Sequence, residues 1–333
     1  MAYGTVSADV IQSSVANTSL GAGNASIMKN RLINGAMIID QRNAGASVTP
    51  ATDSIFTVDR WISRLSQASK YSFQQNAGSV TPPVGFTNYL GITSTSAYSI
   101  TSTDFFEIQQ RIEGYNISDL GWGTANAKTV TLSFQVYSSL TGTFGGSVFN
   151  GAGTRSYPFS YSIPVANTWT SISITIAGDT SGTWLTTNGI GMFVNFGLGI
   201  GSTYSGTAGA WSGTLYLSAT GATSVVGTNG ATFYITGVQL EVGTSATGFE
   251  YRQYGQELAL CQRYYQKFAG GQVYGNGAVV AVVCNSFPVT MRASATGTVT
   301  TGAIQATTAS NITSFQIAAG WYDPGTITAT AEL

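Results

Sequence analysis

Strict alternation of apolar and polar residues recurs through the middle of this chain, and it leaves few folds open. Val130, Leu132, Phe134 and Val136 alternate with Thr131, Ser133 and Gln135. Ile172, Ile174 and Ile176 alternate with Ser173 and Thr175, and Phe106, Ile108 and Ile112 with Glu107, Gln109 and Arg111. Ile190, Met192, Val194, Phe196 and Leu198 extend the series. A period of two places one set of side chains on each face of a strand, so each run is a strand with one dry and one wet face. The intervening segments are rich in Gly, Ser, Thr and Asn, which suit turns. Short strands at this spacing, without long helical periods between them, predict an all-β antiparallel sandwich rather than a βαβ fold. No repeat of solenoid or propeller period is present, which lowers the β-helix alternative.

The stretch Ala231 to Tyr251 reads as the strand that closes this sandwich. Phe233 and Ile235 share one face, but Val238, Leu240 and Val242 lie in the opposite phase, with Gly237 at the change. One extra residue there restores inward pointing, so a β-bulge is expected near Thr236 and Gly237. The alternative is a loop rich in apolar residues.

The division expected along the chain is an N-terminal attachment arm at 1–29, the sandwich at 30–252, a helical connector at 253–270 and a small C-terminal β-domain at 271–333. Residues 1–29 are too poor in aromatics to bury much surface alone, so they form either a flexible tail or an arm that becomes ordered against a neighbour. The helix is expected over Gly255 to Phe268, where Leu258, Cys261, Tyr265 and Phe268 fall on one face. That seam either lines a symmetry axis or packs on its own domain.

Only 8% of the 333 residues are charged, against 43% hydrophobic, so solubility rests on hydroxyls, amides and glycine. The net charge is −1 and the 13 basic residues are scattered, which argues against nucleic acid as a partner. The N-terminus shows no basic region followed by an apolar core, so no signal peptide is expected. The longest apolar run, Gly277 to Cys284, is too short to span a bilayer, and no membrane insertion is expected. Cys261 and Cys284 form one disulfide or none, and two buried thiols are the favoured reading.

The absence of histidine excludes Ser-His-Asp and Cys-His catalysis and His-ligated metals. There is no G-x-S-x-G elbow, and the glycine-rich run at Gly197 to Gly206 lacks the lysine and the following helix of a phosphate loop, so it reads as a turn. A glycosidase needs two carboxylates facing one sugar. The 14 acids offer only arbitrary pairs, such as Glu107 with Glu113 or Asp104 with Glu107, while Asp53, Asp59 and Asp179 sit where turns are expected. No catalytic residue, cofactor or metal is therefore assigned.

The candidates for ligand contact are aromatic. Trp122, Trp184 and Trp211 lie in glycine-rich surroundings, and Trp321, Tyr322 and Asp323 precede Pro324 and Gly325 in an expected turn. An indole stacks on the apolar face of a pyranose while a carboxylate accepts from its hydroxyls. The competing reading is that each tryptophan folds back over an edge of the sandwich.

The closing strand, F-Y-I-x-x-V-Q-L-E-V-G followed by a polar tail with Phe249, resembles the last strand of jelly-roll carbohydrate-binding modules. The resemblance implies that Asn30 to Asn43 is the opening strand, with Asn34 and Gly35 matching an early N-G and Ile33, Met37 and Ile39 facing inward. Such modules often hold a structural calcium. Here Asp40 matches an acid of the first strand, but Gly237 stands where the last strand commonly has another, so no metal is assigned.

Longer phrases resemble tail-fibre-like virion proteins of tailed bacteriophages of the cyanophage and marine-phage type. They are Asn24 to Gly45, Asp59 to Trp61, Thr81 to Gly91, Glu257 to Tyr265, Phe287 to Ala293 and Ile327 to Leu333. This resemblance implies a non-enzymatic virion structural protein of the tail-fibre or receptor-binding type, assembled in the host cytoplasm. It also implies a homotrimer that meets other virion proteins through its arm and contacts a host surface glycan. The alternatives are a capsid-decorating (cement) protein and a glycan depolymerase.

Overall fold

A computed structural model describes residues 28–269, 273–275, 285–299, 303–307, 309–316, 320–322 and 326–333. Residues 1–27 of the expected arm, the whole apolar run Gly277–Cys284, and Asp323 lie outside the described residues.

Two antiparallel sheets form the sandwich. The first has six strands in the order β1 (Ile55–Phe56), β2 (Trp61–Leu65), β5 (Phe105–Glu113), β10 (Ile190–Ile200), β7 (Gly142–Asn150) and β8 (Ser156–Ile163). The second has five: β3 (Tyr71–Gln75), β4 (Leu90–Ser94), β13 (Thr232–Val242), β6 (Val130–Ser138) and β9 (Thr170–Ile176). The alternating apolar residues meet between them as expected, but the other face of β5 and β10 is not wet: Glu107, Gln109 and Asn195 are buried there, because the segment carrying Leu217 packs over it. Trp61, Phe106, Ile108 and Phe196 come from the first sheet, and Phe73, Ile92, Leu132, Phe134 and Phe233 from the second. Phe134 reaches Phe196 across the core with ring centroids 5.0 Å apart. The architecture is an all-β, jelly-roll-like antiparallel sandwich. A short parallel pair, β11 (Ser205–Gly206) with β12 (Ser218–Ala219), lies in the segment that covers part of the first sheet's outer face.

The bulge in β13 is where the phase change placed it. Pairing with β6 shifts register between Thr236 and Gln239, and Gly237 sits at φ 62°. Phe233, Ile235, Val238 and Leu240 are all fully buried as a result.

The expected opening strand is not a strand. Residues 31–45 run as turns and irregular chain, with Asn34 at φ 56° and Met37 at φ 58°, values that strand geometry excludes. Asn34 holds this fold in place. Its Nδ2 donates to the Ile39 and Asp59 carbonyls at 2.8 and 2.9 Å, and its Oδ1 accepts from the Ile39 amide. Ile33, Met37 and Ile39 do not share one inward face. Met37 joins the main core, while Ile33 and Ile39 pack with Cys261 and Tyr264 in a second cluster.

That second cluster receives the one α-helix among the described residues, α1 (Tyr254–Gln262). The helix is shorter than the spacing predicts, because Tyr265 and Phe268 belong to a strand. β14 (Tyr265–Ala269) and β17 (Thr296–Val299) flank β21 (Thr326–Thr330) in one small sheet. Cross-strand hydrogen bonds available to Tyr265 through Ala269 outweigh one more helical turn. Two further small sheets pair β15 (Val273–Gly275) with β20 (Gly320–Tyr322), and order β16 (Asn285–Ser286), β19 (Asn311–Gln316) and β18 (Ala303–Thr307). Cys261 is a buried free thiol whose pKa burial pushes well up.

Charged groups fasten these C-terminal elements to the sandwich. Glu113 on β5 accepts from Arg263 at 2.8 Å and from the Tyr264 hydroxyl at 2.8 Å. Glu332 joins both Arg42 and Arg60, and those guanidiniums stack on Tyr265 and Tyr264 at 3.6 and 3.5 Å.

Gly35 lies against the bulge, and a Cβ there would fall 2.1 Å from the Val238 carbonyl oxygen. Its own carbonyl accepts from the Val238 amide at 2.9 Å. Gly35→Ala is expected to destabilise the fold by about 2 kcal/mol or more, because backbone has to move. Denaturant unfolding checks this, and an unchanged midpoint refutes the close approach.

Candidate functional site

The bulge and the alternation together shape the outer face of the five-stranded sheet. Registers align Thr236 with Gln135 and Ser171, and Gln239 with Ser133 and Ser173, so one half of the face is a field of hydroxyls and amides. The other half is aromatic. Tyr234 stacks on Tyr137 at 5.3 Å and on Tyr89 at 5.0 Å, and Trp169 closes the group at 5.5 Å from Tyr89.

A groove of about 350 Å³ opens on the polar half. Ser133, Gln135, Ser171 and Ser173 line it, and the Gln135 amide donates to the Ser171 hydroxyl at 2.6 Å. Phe86, Phe249 and Tyr251 form its aromatic wall, with centroid separations of 5.1, 5.6 and 5.1 Å. Phe86 comes close only because residue 237 has no side chain: a Cβ there would meet the ring at 2.6 Å. Tyr251 is 61% exposed, so its ring is offered to solvent rather than spent on the core.

The remaining wall is the tail Ala246–Gly248, and buried polar groups pin it. Glu241 accepts from the Thr247 amide at 2.8 Å and from its hydroxyl at 2.6 Å. The Lys29 ammonium donates to the Gly248 carbonyl at 2.6 Å, and Gln239 accepts from the Glu250 amide at 2.8 Å. None of the residues lining the groove is charged. The site is therefore preorganised and neutral, and it combines exposed hydroxyls, one planar amide and aromatic rings.

The tryptophans suggested by the sequence lie elsewhere. Trp122 and Trp184 are buried edge to face at 4.7 Å, and half-buried Trp211 contacts them at 5.3 and 5.6 Å. Each indole N–H is used: Trp122 donates to the Lys128 carbonyl, Trp211 to the Ala177 carbonyl and Trp184 to Asp179. Asp179 in turn takes a bidentate grip from Arg155 at 2.7 and 2.8 Å. Trp321 and Tyr322 lie on β20, opposite Tyr274 and Val273, rather than in a turn. Asp323 is outside the described residues. Of the groove residues, the sequence marks Phe249, the aromatic in the tail after the closing strand. Phe86 and Tyr251 carried no local signal, since only the pairing of distant segments brings them together.

Two carboxyls sit well above their usual range, and neither lines the groove. Burial pushes Glu107 up to about 7. It lies on the outer face of the six-stranded sheet, where it accepts from Asn195, whose amide also donates to the Leu217 carbonyl at 2.7 Å. Burial raises Asp59 to about 6, opposed by its hydrogen bonds from Gln41.

Fold and site together define a jelly-roll-like β-sandwich with a neutral groove on one outer face. No family model matches the chain, and no curated protein matches it. Similar solved structures include the enzymatically active domain of tailspike protein 4 from bacteriophage CBA120, at 13% identity and a TM-score of 0.34. That match covers 65% of this chain and 22% of the tailspike, so the chain spans about a fifth of that protein's length. A sugar-binding protein from Bacteroides thetaiotaomicron, described as putative in its name, is 12% identical over 64% of this chain and all of its own, with a TM-score of 0.37. The family 11 carbohydrate-binding module of Clostridium thermocellum, solved with a mixed-linked β-1,3-1,4 tetrasaccharide, is 14% identical over 60% of this chain and 96% of its own, with a TM-score of 0.31. At these identities and scores, none of the likenesses bears on the ligand or activity of this chain.

Glu107 has a direct consequence for stability. Its folded pKa of about 7 lies above the ordinary glutamate value of 4.5, so folding takes up a proton in that window. Stability is highest below pH 4.5 as far as this group is concerned, falls as pH rises to about 7, and stays lowered above it, by on the order of 3 kcal/mol in total. Asp59 contributes the same sign, but its window ends near pH 6. Unfolding free energies from pH 6 to 7.5 are expected to fall for the unaltered protein and to stay flat for Glu107→Gln. Parallel curves refute the assignment.

Proposed function

We propose that this chain is a non-enzymatic virion structural protein of the tail-fibre or receptor-binding type that contacts host surface glycans through the groove on the five-stranded sheet. The observation that carries the glycan reading is the chemistry of that groove. Sugars present hydroxyls on their edges and C–H groups on their faces, and the groove offers Ser133, Gln135, Ser171 and Ser173 to the first and Phe86, Phe249 and Tyr251 to the second. Its lining holds no carboxylate pair, which favours binding over hydrolysis. The virion part of the reading rests on the phage-like phrases, from Asn24–Gly45 to Ile327–Leu333, and on a surface chemistry with few charges.

Gln135→Ala and Phe249→Ala are each expected to weaken retention on host surface polysaccharide by roughly 10-fold, with the melting temperature nearly unchanged. Trp321→Ala separates this groove from the aromatic pair on β20 and is expected to bind normally. Full retention by both groove variants refutes the site, and new reducing ends appearing in the polysaccharide refute the non-enzymatic reading.

A further inference from the structure

The sandwich has four edge strands, and three of them are blocked. β1 is only two residues long. β3 is capped by Val48, which exchanges two 2.9 Å hydrogen bonds with Phe73. β8 contains Pro158, whose carbonyl accepts from Gly209, while Ser156 and Ser212 exchange bonds at 3.0 and 2.8 Å. Short length, proline and a covering loop are the ordinary devices that keep a sheet edge from pairing with another chain.

β9 has none of them. Its seven residues, Thr-Ser-Ile-Ser-Ile-Thr-Ile, contain no proline, glycine or charge, and among the described residues its backbone bonds only to β6. The whole run Ser156–Gly178, which makes both strands on this side of the sandwich and the turn joining them, is uncharged. Val165 in that turn is exposed. Ile172 and Ile174 are only half-buried, although both pack against the main core.

We infer that β9 is a self-recognition edge, which pairs antiparallel with β9 of a second copy about a two-fold axis through Ser173. The sequence is self-complementary about that residue. Ile172 meets Ile174, Ser171 meets Thr175 and Thr170 meets Ile176, so apolar residues face apolar or small ones on the core side and hydroxyls face hydroxyls outside. No like charges meet, and the half-buried isoleucines complete their burial against each other. The axis is perpendicular to the sheet, so the two five-stranded sheets join into one, with both outer faces on the same side. Ser171 and Ser173 also line the groove, so pairing sets two grooves side by side. Two linked sites raise avidity without new contacts. The assembly is two-fold, in place of the three-fold one implied by resemblance. The pairing does not depend on glycan binding, and its test reads mass alone.

Light scattering of the full chain at micromolar concentration is expected to give twice the 34.7 kDa chain mass. Ser173 is exposed and lies on the axis, so Ser173→Lys sets lysine against lysine and Ser173→Glu sets glutamate against glutamate. Each variant alone is expected to be monomeric with an unaltered circular dichroism spectrum, and an equimolar mixture is expected to recover the dimer mass. A mass of one or three chains for the unaltered protein overturns the inference. So does a lysine variant that stays dimeric, or a mixture that stays monomeric.

Discussion

The close approach of Gly35 to the bulge of β13 organises the sandwich around it. Gly35 and Val238 are joined by a 2.9 Å backbone hydrogen bond, and Asn30 adds two contacts beside it, donating to the Val238 carbonyl and accepting from the Leu240 amide at 3.0 Å each. The extra residue in β13 disrupts its ladder, and the irregular chain at 30–35 satisfies the backbone groups that the disruption leaves over. Because of the bulge, Phe233 and Ile235 before it and Val238 and Leu240 after it are all buried, while Val242 at the strand's end is exposed. The same glycine that permits it, Gly237, leaves the space into which Phe86 closes the groove wall.

A chain with so few charges spends them inside. Glu113, Glu332, Asp179 and Glu241 are all buried or nearly so, and each joins an arginine or lysine from a distant segment. Such pairs are weak evidence for net stability, but removing one partner leaves a buried charge uncompensated, so they fix which segments dock where. Among the described residues only Asp53, Asp119, Lys128 and Lys267 are exposed charges, and the rest of the exposed surface is mainly hydroxyls, amides, small residues and aromatic rings. That division suits neutral partners such as glycans, and it leaves an uncharged strand edge free of electrostatic repulsion.

The groove and the open edge are two aspects of one sheet. β6 and β9 supply the hydroxyl field, while β9 is also the strand at which the hydrogen-bond ladder stops. The face and the edge are therefore coupled by geometry: a residue such as Ser173 touches both.

The sequence by itself determined the local periodicities and their direct consequences. The period of two assigned the strands and their inward faces, the phase change at Gly237 located the bulge, and the scarcity of charge and lack of histidine bounded the chemistry. The outer face expected to be wet is so on β9, but on β5 and β10 it is buried, Glu107 and Gln109 included. Tertiary structure decided the rest. Asn30 to Asn43 reads as a strand from its apolar spacing, yet positive φ at Asn34 and Met37 was imposed by side-chain bonds to residues far along the chain. Tyr265 and Phe268 fit a helical face, but β21 offered them a ladder, and glycine-rich surroundings suggested exposed loops for Trp122 and Trp184, which instead packed against each other. The groove itself draws on residues 86, 133–135, 171–173, 237, 246–249 and 251, which nothing local relates. Periodicity is a property of neighbours in sequence, whereas a binding surface on a sandwich is a property of which strands lie side by side, and only long-range pairing settles that.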